Sequence, residues 1–206
     1  MPTPLKLYFT PGACSLAPHI LLRETGTAFT LEKVDTARHL TAGGVDYYTI
    51  NARGQVPLIQ LGDGTHLSEG PVIAQYIADR ADAHTLMPEA GSLARYRVME
   101  WQNYITSEIH KSFTPLFQND VDATAKKALA AVLRKKLAWL DGQLEGKSYL
   151  TGETFTAADA YLFTVLGWAK FVQIDLSDLR HIGAFVARVS VRPAVQAAMK
   201  AEGLIA

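Results

Sequence analysis

The chain's only cysteine stands in the stretch "LYFTPGACSLAPHILLRE". An apolar, strand-like run breaks there at Thr10-Pro11-Gly12, and Cys14 falls where a helix opens. Unpaired N–H groups and the macrodipole at a helix start favour a negative sulfur, so a thiol in that place can be drawn below its free pKa of about 8.5. The same residue type also serves as a small buried hydrophobe, and local sequence leaves both roles open for Cys14.

Three further groups have types and spacings that suit chemistry. Val56-Pro57 begins a strand, where a proline is tolerated at the start or edge. If that bond is cis, the N–H and C=O of Val56 can turn outward and pair with an extended peptide. In "LSEGPVIAQYIAD", Pro71 fits a first helical position, so Ser68, Glu69 and Gly70 precede a helix start with bare amides. That start can attract a carboxylate and Glu69 an ammonium group, or the residues can simply cap the helix. On a long helical stretch Asn103, Ser107 and His110 fall at i, i+4 and i+7 beside Trp101, Tyr104 and Ile105, the pattern of either a cleft lining or a solvated face. His19 and His181 read as structural; His39, His66 and His84 fall in loops or on the surface.

The elements that must hold these residues change character along the chain. "LKLYF" reads as a strand, "CSLAPHILLRETG" as a helix with apolar Leu16, Ile20 and Leu21 at helical spacing and Gly26 as its C-cap, and "FTLEKV" as a half-buried strand. Asp35 to Gly54 is irregular, with a short helix expected near Asp46 to Ile50. "VPLIQL" and "THL" flank Gly62-Asp63-Gly64, a hairpin signal, and a helix follows from Glu69 to Arg80. After "DAHTLMPEAGS" strand signals vanish. One helix from Leu93 that stops before Pro115, then helices over 122–144, 157–172, 179–191 and 194–200, predict an all-helical second half. The expected fold is therefore an α/β thioredoxin-like N-terminal domain, residues 1–83, followed by an all-α C-terminal domain, residues 90–206.

Composition removes several alternatives. The 206 residues carry a formal net charge of +0, so no basic field is present to hold a nucleic acid backbone. A lone cysteine excludes an internal disulfide, and with no Cys/His cluster no metal is expected. No run approaches the ~20 apolar residues of a membrane span, and MPTPLKLYFT lacks the layout of a signal peptide. A cytoplasmic protein with no membrane partner is expected.

Five motifs in order, "YFTPGACSLAPHI", "NARGQVPLI", "LSEGPVIAQYIAD", "EWQNYITSEIHKSFTPLF" and "FTAADAYLFTVLGWA", carry a resemblance that spans essentially the whole chain. The sequence resembles a cytosolic glutathione S-transferase, most closely the bacterial beta class. The resemblance implies a homodimeric enzyme that uses glutathione as co-substrate, without metal, and joins its thiolate to a small hydrophobic electrophile. It implies that Cys14 takes the place of the hydroxyl other classes aim at the glutathione sulfur, with His110 as its catalytic partner. Val56 beside cis-Pro57 would pair with the cysteinyl backbone, Glu69 and Gly70 would hold the γ-glutamyl end, and His39 would reach the glycyl carboxylate. Asn103, Ser107 and His110 would line the cleft near the sulfur, and Thr156 with Asp159 would form a helix-capping box that serves folding. Thiol–disulfide exchange through Cys14 is a second implied activity. A non-enzymatic relative of the same fold that binds a protein partner is the alternative.

Overall fold

The computed structural model describes residues 4–206, so residues 1–3, where the expected first domain and the N-terminal targeting reading begin, lie outside the described residues. Contacts divide the chain into two compact units, Met1–Met87 with Arg192–Ala206, and Pro88–Val191.

The first unit is built on a five-stranded sheet. β1 (Leu5–Phe9) runs parallel to β2 (Phe29–Asp35), and α1 (Leu16–Glu24) makes the crossover that a parallel pair requires. β3 (Leu40–Thr41), β4 (Leu58–Gln60) and β5 (His66–Ser68) pair antiparallel, giving the order β3-β2-β1-β4-β5. Leu5, Leu7, Tyr8 and Phe9 of the central β1 are all buried instead of alternating, the pattern of a strand enclosed on both faces. Gly26 ends α1 at φ 63°, the left-handed conformation that glycine adopts without steric cost. The Asp63-Gly64 turn closes the β4–β5 hairpin, with the Leu61 N–H donating to the Thr65 carbonyl at 2.7 Å. α2 (Gly70–Arg80) follows with Pro71 in its first turn. The expected helix near 46–50 is a single 3₁₀ turn, Tyr47–Thr49, and the two-residue β3 was too short to carry a strand signal.

The second unit is helical: α3 (Leu93–Tyr104), a π-helical segment (Ile105–His110), α4 (Lys111–Phe117), α5 (Ala123–Gln143), α6 (Ala157–Leu166) and α7 (Arg180–Ser190). Two expected boundaries move. The helix from Leu93 runs through Pro115 and ends two residues later at Phe117, because Pro115 lies in the last turn and buried Phe113 and Leu116 hold that turn in place. The helix expected over 157–172 stops at Leu166 before Gly167, and a 3₁₀ turn, Ala169–Val172, follows. α6 is buried along its whole length, and its start is closed by Asp159, whose carboxylate accepts from the Thr156 N–H and the Leu150 N–H, each at 2.8 Å.

α8 (Pro193–Ala201) returns to the first unit and packs on α1, whereas the expected second domain ran on to residue 206. The tie is specific. Arg192 grips Glu24 with two N–H···O bonds of 2.7 and 3.0 Å, and Glu202 is buried against the start of α1.

Candidate active site

Cys14 lies in the turn between β1 and α1, one residue ahead of Ser15, which precedes the helix. That turn is pinned at several points. The Ser15 hydroxyl donates to the Thr10 carbonyl and accepts from the Thr10 N–H, both at 3.2 Å, and the Thr10 hydroxyl donates to the Val34 carbonyl at 2.7 Å. The Gly12 N–H donates to Glu202 Oε2 at 2.9 Å. Gly12 sits at φ 72°, where an L side chain is strained, and a Cβ would also touch Leu204.

Tyr8 of β1 is paired with Leu58 of β4, so the residues just before Leu58 run beside the turn that follows β1. The Val56–Pro57 bond is cis. The half-buried Cys14 thiol donates to the Val56 carbonyl, with Sγ 3.1 Å from the oxygen. Glu69 immediately precedes α2 at φ 67°, and its carboxylate is paired with Arg53. A Cβ on Gly70 would meet nothing closer than Pro57 Cγ at 3.8 Å, so the first turn of α2 is open above the backbone. His39 stacks on Tyr48 with ring centroids 4.3 Å apart, and its Nδ1 is buried without a partner among the described residues. Any carboxylate contact from His39 has to use Nε2.

In the second unit the π segment alters the expected stripe. Its wider turn leaves carbonyls that an α-helix would satisfy, and side chains take them up: Thr106 donates to the Gln102 carbonyl, Ser107 to that of Asn103, and Ser112 and Lys136 to that of Glu108. Asn103 and Ser107 remain exposed, while His110 is carried inward. His110 Nδ1 lies 2.6 Å from the Tyr161 hydroxyl, and its ring packs edge-on against Trp168 at 4.7 Å between centroids. Burial, reinforced by the charge of Lys111, pulls His110 down to about 4, so the imidazole is neutral at physiological pH.

The first unit thus brings Cys14 and Val56 into contact and holds Glu69 at the opening of α2. The second places His110 against Tyr161, with Asn103 and Ser107 exposed on the same helical run. Sequence reasoning did not single out Tyr161, Arg53 or Glu202. A signal for Tyr161 existed, since a tyrosine inside the otherwise apolar "YLFTVL" needs a partner for its hydroxyl; Glu202 and Arg53 had none. No cluster of three or more His, Cys, Asp or Glu suited to a metal occurs among the described residues, and no described helix is long and apolar enough to cross a membrane.

Two family descriptions match this chain: "Glutathione S-transferase, N-terminal domain" over residues 12–80 and "Glutathione S-transferase, C-terminal domain" over residues 104–193. The chain is 48% identical over 200 residues to glutathione S-transferase GstA of Escherichia coli O157:H7, covering 97% of this chain and 100% of the relative. Among solved structures it is similar to a sphingomonad glutathione S-transferase complexed with glutathione, at 46% identity and a TM-score of 0.93 over 97% of this chain and 100% of that one. It is also similar to the beta-class glutathione S-transferase of Sphingomonas chungbukensis, at 45% identity and a TM-score of 0.94 over 97% of this chain and 100% of that one. With both halves matched and whole-chain identity this high, the protein belongs to the glutathione S-transferase family, in its bacterial beta class.

Proposed function

We propose that this glutathione S-transferase binds glutathione along the first unit and transfers its thiolate to a small hydrophobic electrophile received by the second. The observation that carries the reading is the Cys14 thiol hydrogen-bonded to the Val56 carbonyl at the mouth of α1. A peptide extended along Val56 brings its own cysteine beside Cys14, with its backbone competing for the same carbonyl. Glu69 and Gly70 then receive the γ-glutamyl end, and Nε2 of His39 the glycyl carboxylate. Asn103 and Ser107 line the cleft. The glutathione sulfur gives its proton to solvent, His110, held neutral by burial, serving as hydrogen-bonding partner of the sulfur, and the thiolate attacks carbon while the leaving group departs with its electron pair.

Cys14 supports a second reaction on the same site. Its thiolate attacks the mixed disulfide of glutathione with another thiol, taking the glutathionyl group and releasing that other thiol as its thiolate; a glutathione thiolate then attacks the adduct, leaving as oxidised glutathione and restoring the Cys14 thiolate. The exposed Leu93, Tyr96, Val132 and Trp139 of the helical unit offer apolar surface to a second copy, and the protein works as a cytoplasmic homodimer.

Retention on immobilised glutathione together with turnover of a chlorodinitrobenzene-type electrophile tests the reading. Retention and conjugation are expected. A protein that flows through the column and leaves the electrophile unchanged is instead a scaffold for a protein partner.

A further inference from the structure

Lys136, in the second half of α5, spends its ammonium on a single turn of the helical run packed beside it. Its Nζ lies 3.1 Å from the Glu108 carbonyl, 3.0 Å from the Ser112 hydroxyl and 2.9 Å from Glu108 Oε2. Three acceptors thus meet the three N–H donors that a lysine carries. The Ser112 hydroxyl in turn donates to the same Glu108 carbonyl at 2.6 Å. Backbone, hydroxyl and ammonium therefore close one ring of hydrogen bonds, with the Glu108 carboxylate as its outer edge.

The turn held in this way is the one that carries His110. It is π-helical: the Lys111 N–H reaches back five residues to the Thr106 carbonyl. Such widened turns are rare, because the α-helical register competes with them, and they persist where neighbouring groups hold them. Each residue of helix turns the next side chain by about 100°, so the register of this turn decides which way the imidazole faces. Buried Ile109 and Phe113 anchor the run to the core, whereas the polar ring ties residues 108 and 112 to each other across His110. With Nδ1 engaged by the Tyr161 hydroxyl, Nε2 is the nitrogen that His110 has for a reacting group.

We propose that Lys136 is a positioning residue for the transfer reaction: with Glu108 and Ser112 it fixes the π turn in the register that sets His110 against Tyr161 and Trp168. The proposal rests on the role given to His110 above. Lys136 touches none of the reacting atoms and acts through the imidazole. Its side chain is 27% exposed and that of Glu108 46%, so the ion pair itself returns little stability. Its consequence falls on geometry, not on folding.

The test is a double-mutant cycle in kcat, with glutathione affinity measured alongside. Lys136→Met keeps the apolar stem and removes the three donors. It should lower kcat by about fivefold, less than His110→Ala, and leave the glutathione Kd within about twofold. Added to His110→Ala, the same substitution should lower kcat no further, because the group it positions is gone. Lys136→Arg, which can still donate to the carbonyl and the carboxylate, should recover most of the activity. The ring-proton resonances of His110, displaced by the Trp168 indole 4.7 Å away, should move toward those of a free histidine in Lys136→Met and stay in place in Lys136→Arg. Unchanged kcat in Lys136→Met, an equal loss in the His110→Ala background, or unmoved His110 resonances overturns the positioning role and leaves the reading of His110 standing. If His110→Ala itself leaves kcat unchanged, both fall.

Discussion

His19 and Glu202, 183 residues apart in sequence, meet with Nδ1 and Oε1 at 2.8 Å, and neither side chain is exposed to solvent. The second oxygen of the same carboxylate holds the Gly12 N–H, so one residue from the end of the chain braces both α1 and the turn that carries Cys14. Removing one partner of a buried pair leaves the other polar group without compensation. Glu202→Ala should therefore cost about 3 kcal/mol or more in urea denaturation, and Glu202→Gln, which keeps an acceptor, should cost less. Equal and small losses in the two variants would show that the carboxylate is dispensable.

Acid should act on the fold through His110. Its pKa in the folded protein is about 4, against 6.5 for the free side chain, so between these values the unfolded chain holds the extra proton and stability falls as pH falls. The full effect is about 3 kcal/mol. Asp159 works in the opposite sense: burial raises it to about 6, and its contribution is lost as pH rises through that value. His110→Gln removes the first effect and leaves the second. Its urea midpoint, followed from about pH 7 to about 4.5, should rise relative to the parent on acidification. Parallel curves would refute the assignment.

Tyr161 should matter to turnover through His110, since its hydroxyl is the partner of Nδ1. His110→Ala is expected to lower kcat by about tenfold, the scale of one lost hydrogen bond to the reacting sulfur, and to change glutathione affinity far less. Tyr161→Phe should lower kcat in the same direction by a smaller factor. Equal losses in kcat and in binding for His110→Ala would place His110 among the residues that hold the tripeptide.

Cys14→Ala separates the two proposed reactions. Thiol–disulfide exchange should disappear, while conjugation falls only in part, because backbone donors still hold the glutathione thiolate. Intact-protein mass spectrometry after treatment with oxidised glutathione should show one glutathionyl adduct on the parent and none on the variant. An adduct on both, or on neither, sinks the role given to this thiol.

A second copy should be detectable at micromolar concentration. Sedimentation should give twice the chain mass, and replacing exposed Trp139 and Val132 by polar residues should shift the equilibrium toward the single chain, as expected if they lie in an interface of about 1,200 Å² or more. A parent protein that sediments as a single chain would end the proposal.

The residues around Cys14, Val56 and Glu69 were legible in the sequence because strand, turn and helix signals there are local: Pro57 at a strand start, Pro71 at a helix start and Gly26 at a helix end each act within one turn of backbone. What stayed hidden depends on distant partners. The stripe of Asn103, Ser107 and His110 assumes an α-helical period, whereas Ser107 and His110 lie in a π segment that is supported partly by Lys136, on another helix. Arg53 gains meaning only when the hairpin brings Glu69 to it, and nothing near residue 202 marks Glu202 as a partner of residues 12 and 19.

The return of α8 to the first unit also bears on how the protein is made. The sheet and α1 are synthesised before the helical unit, yet the buried partner of His19 and the clasp on Glu24 follow only after it. The first unit is therefore completed only after the second has been made, and during synthesis it waits with an unpaired histidine and an uncovered helix face while the contiguous helical unit can already close. Contacts of such long sequence separation slow folding. α8 and Glu202 thus act as the latch on a domain whose chemistry lies far earlier in the sequence.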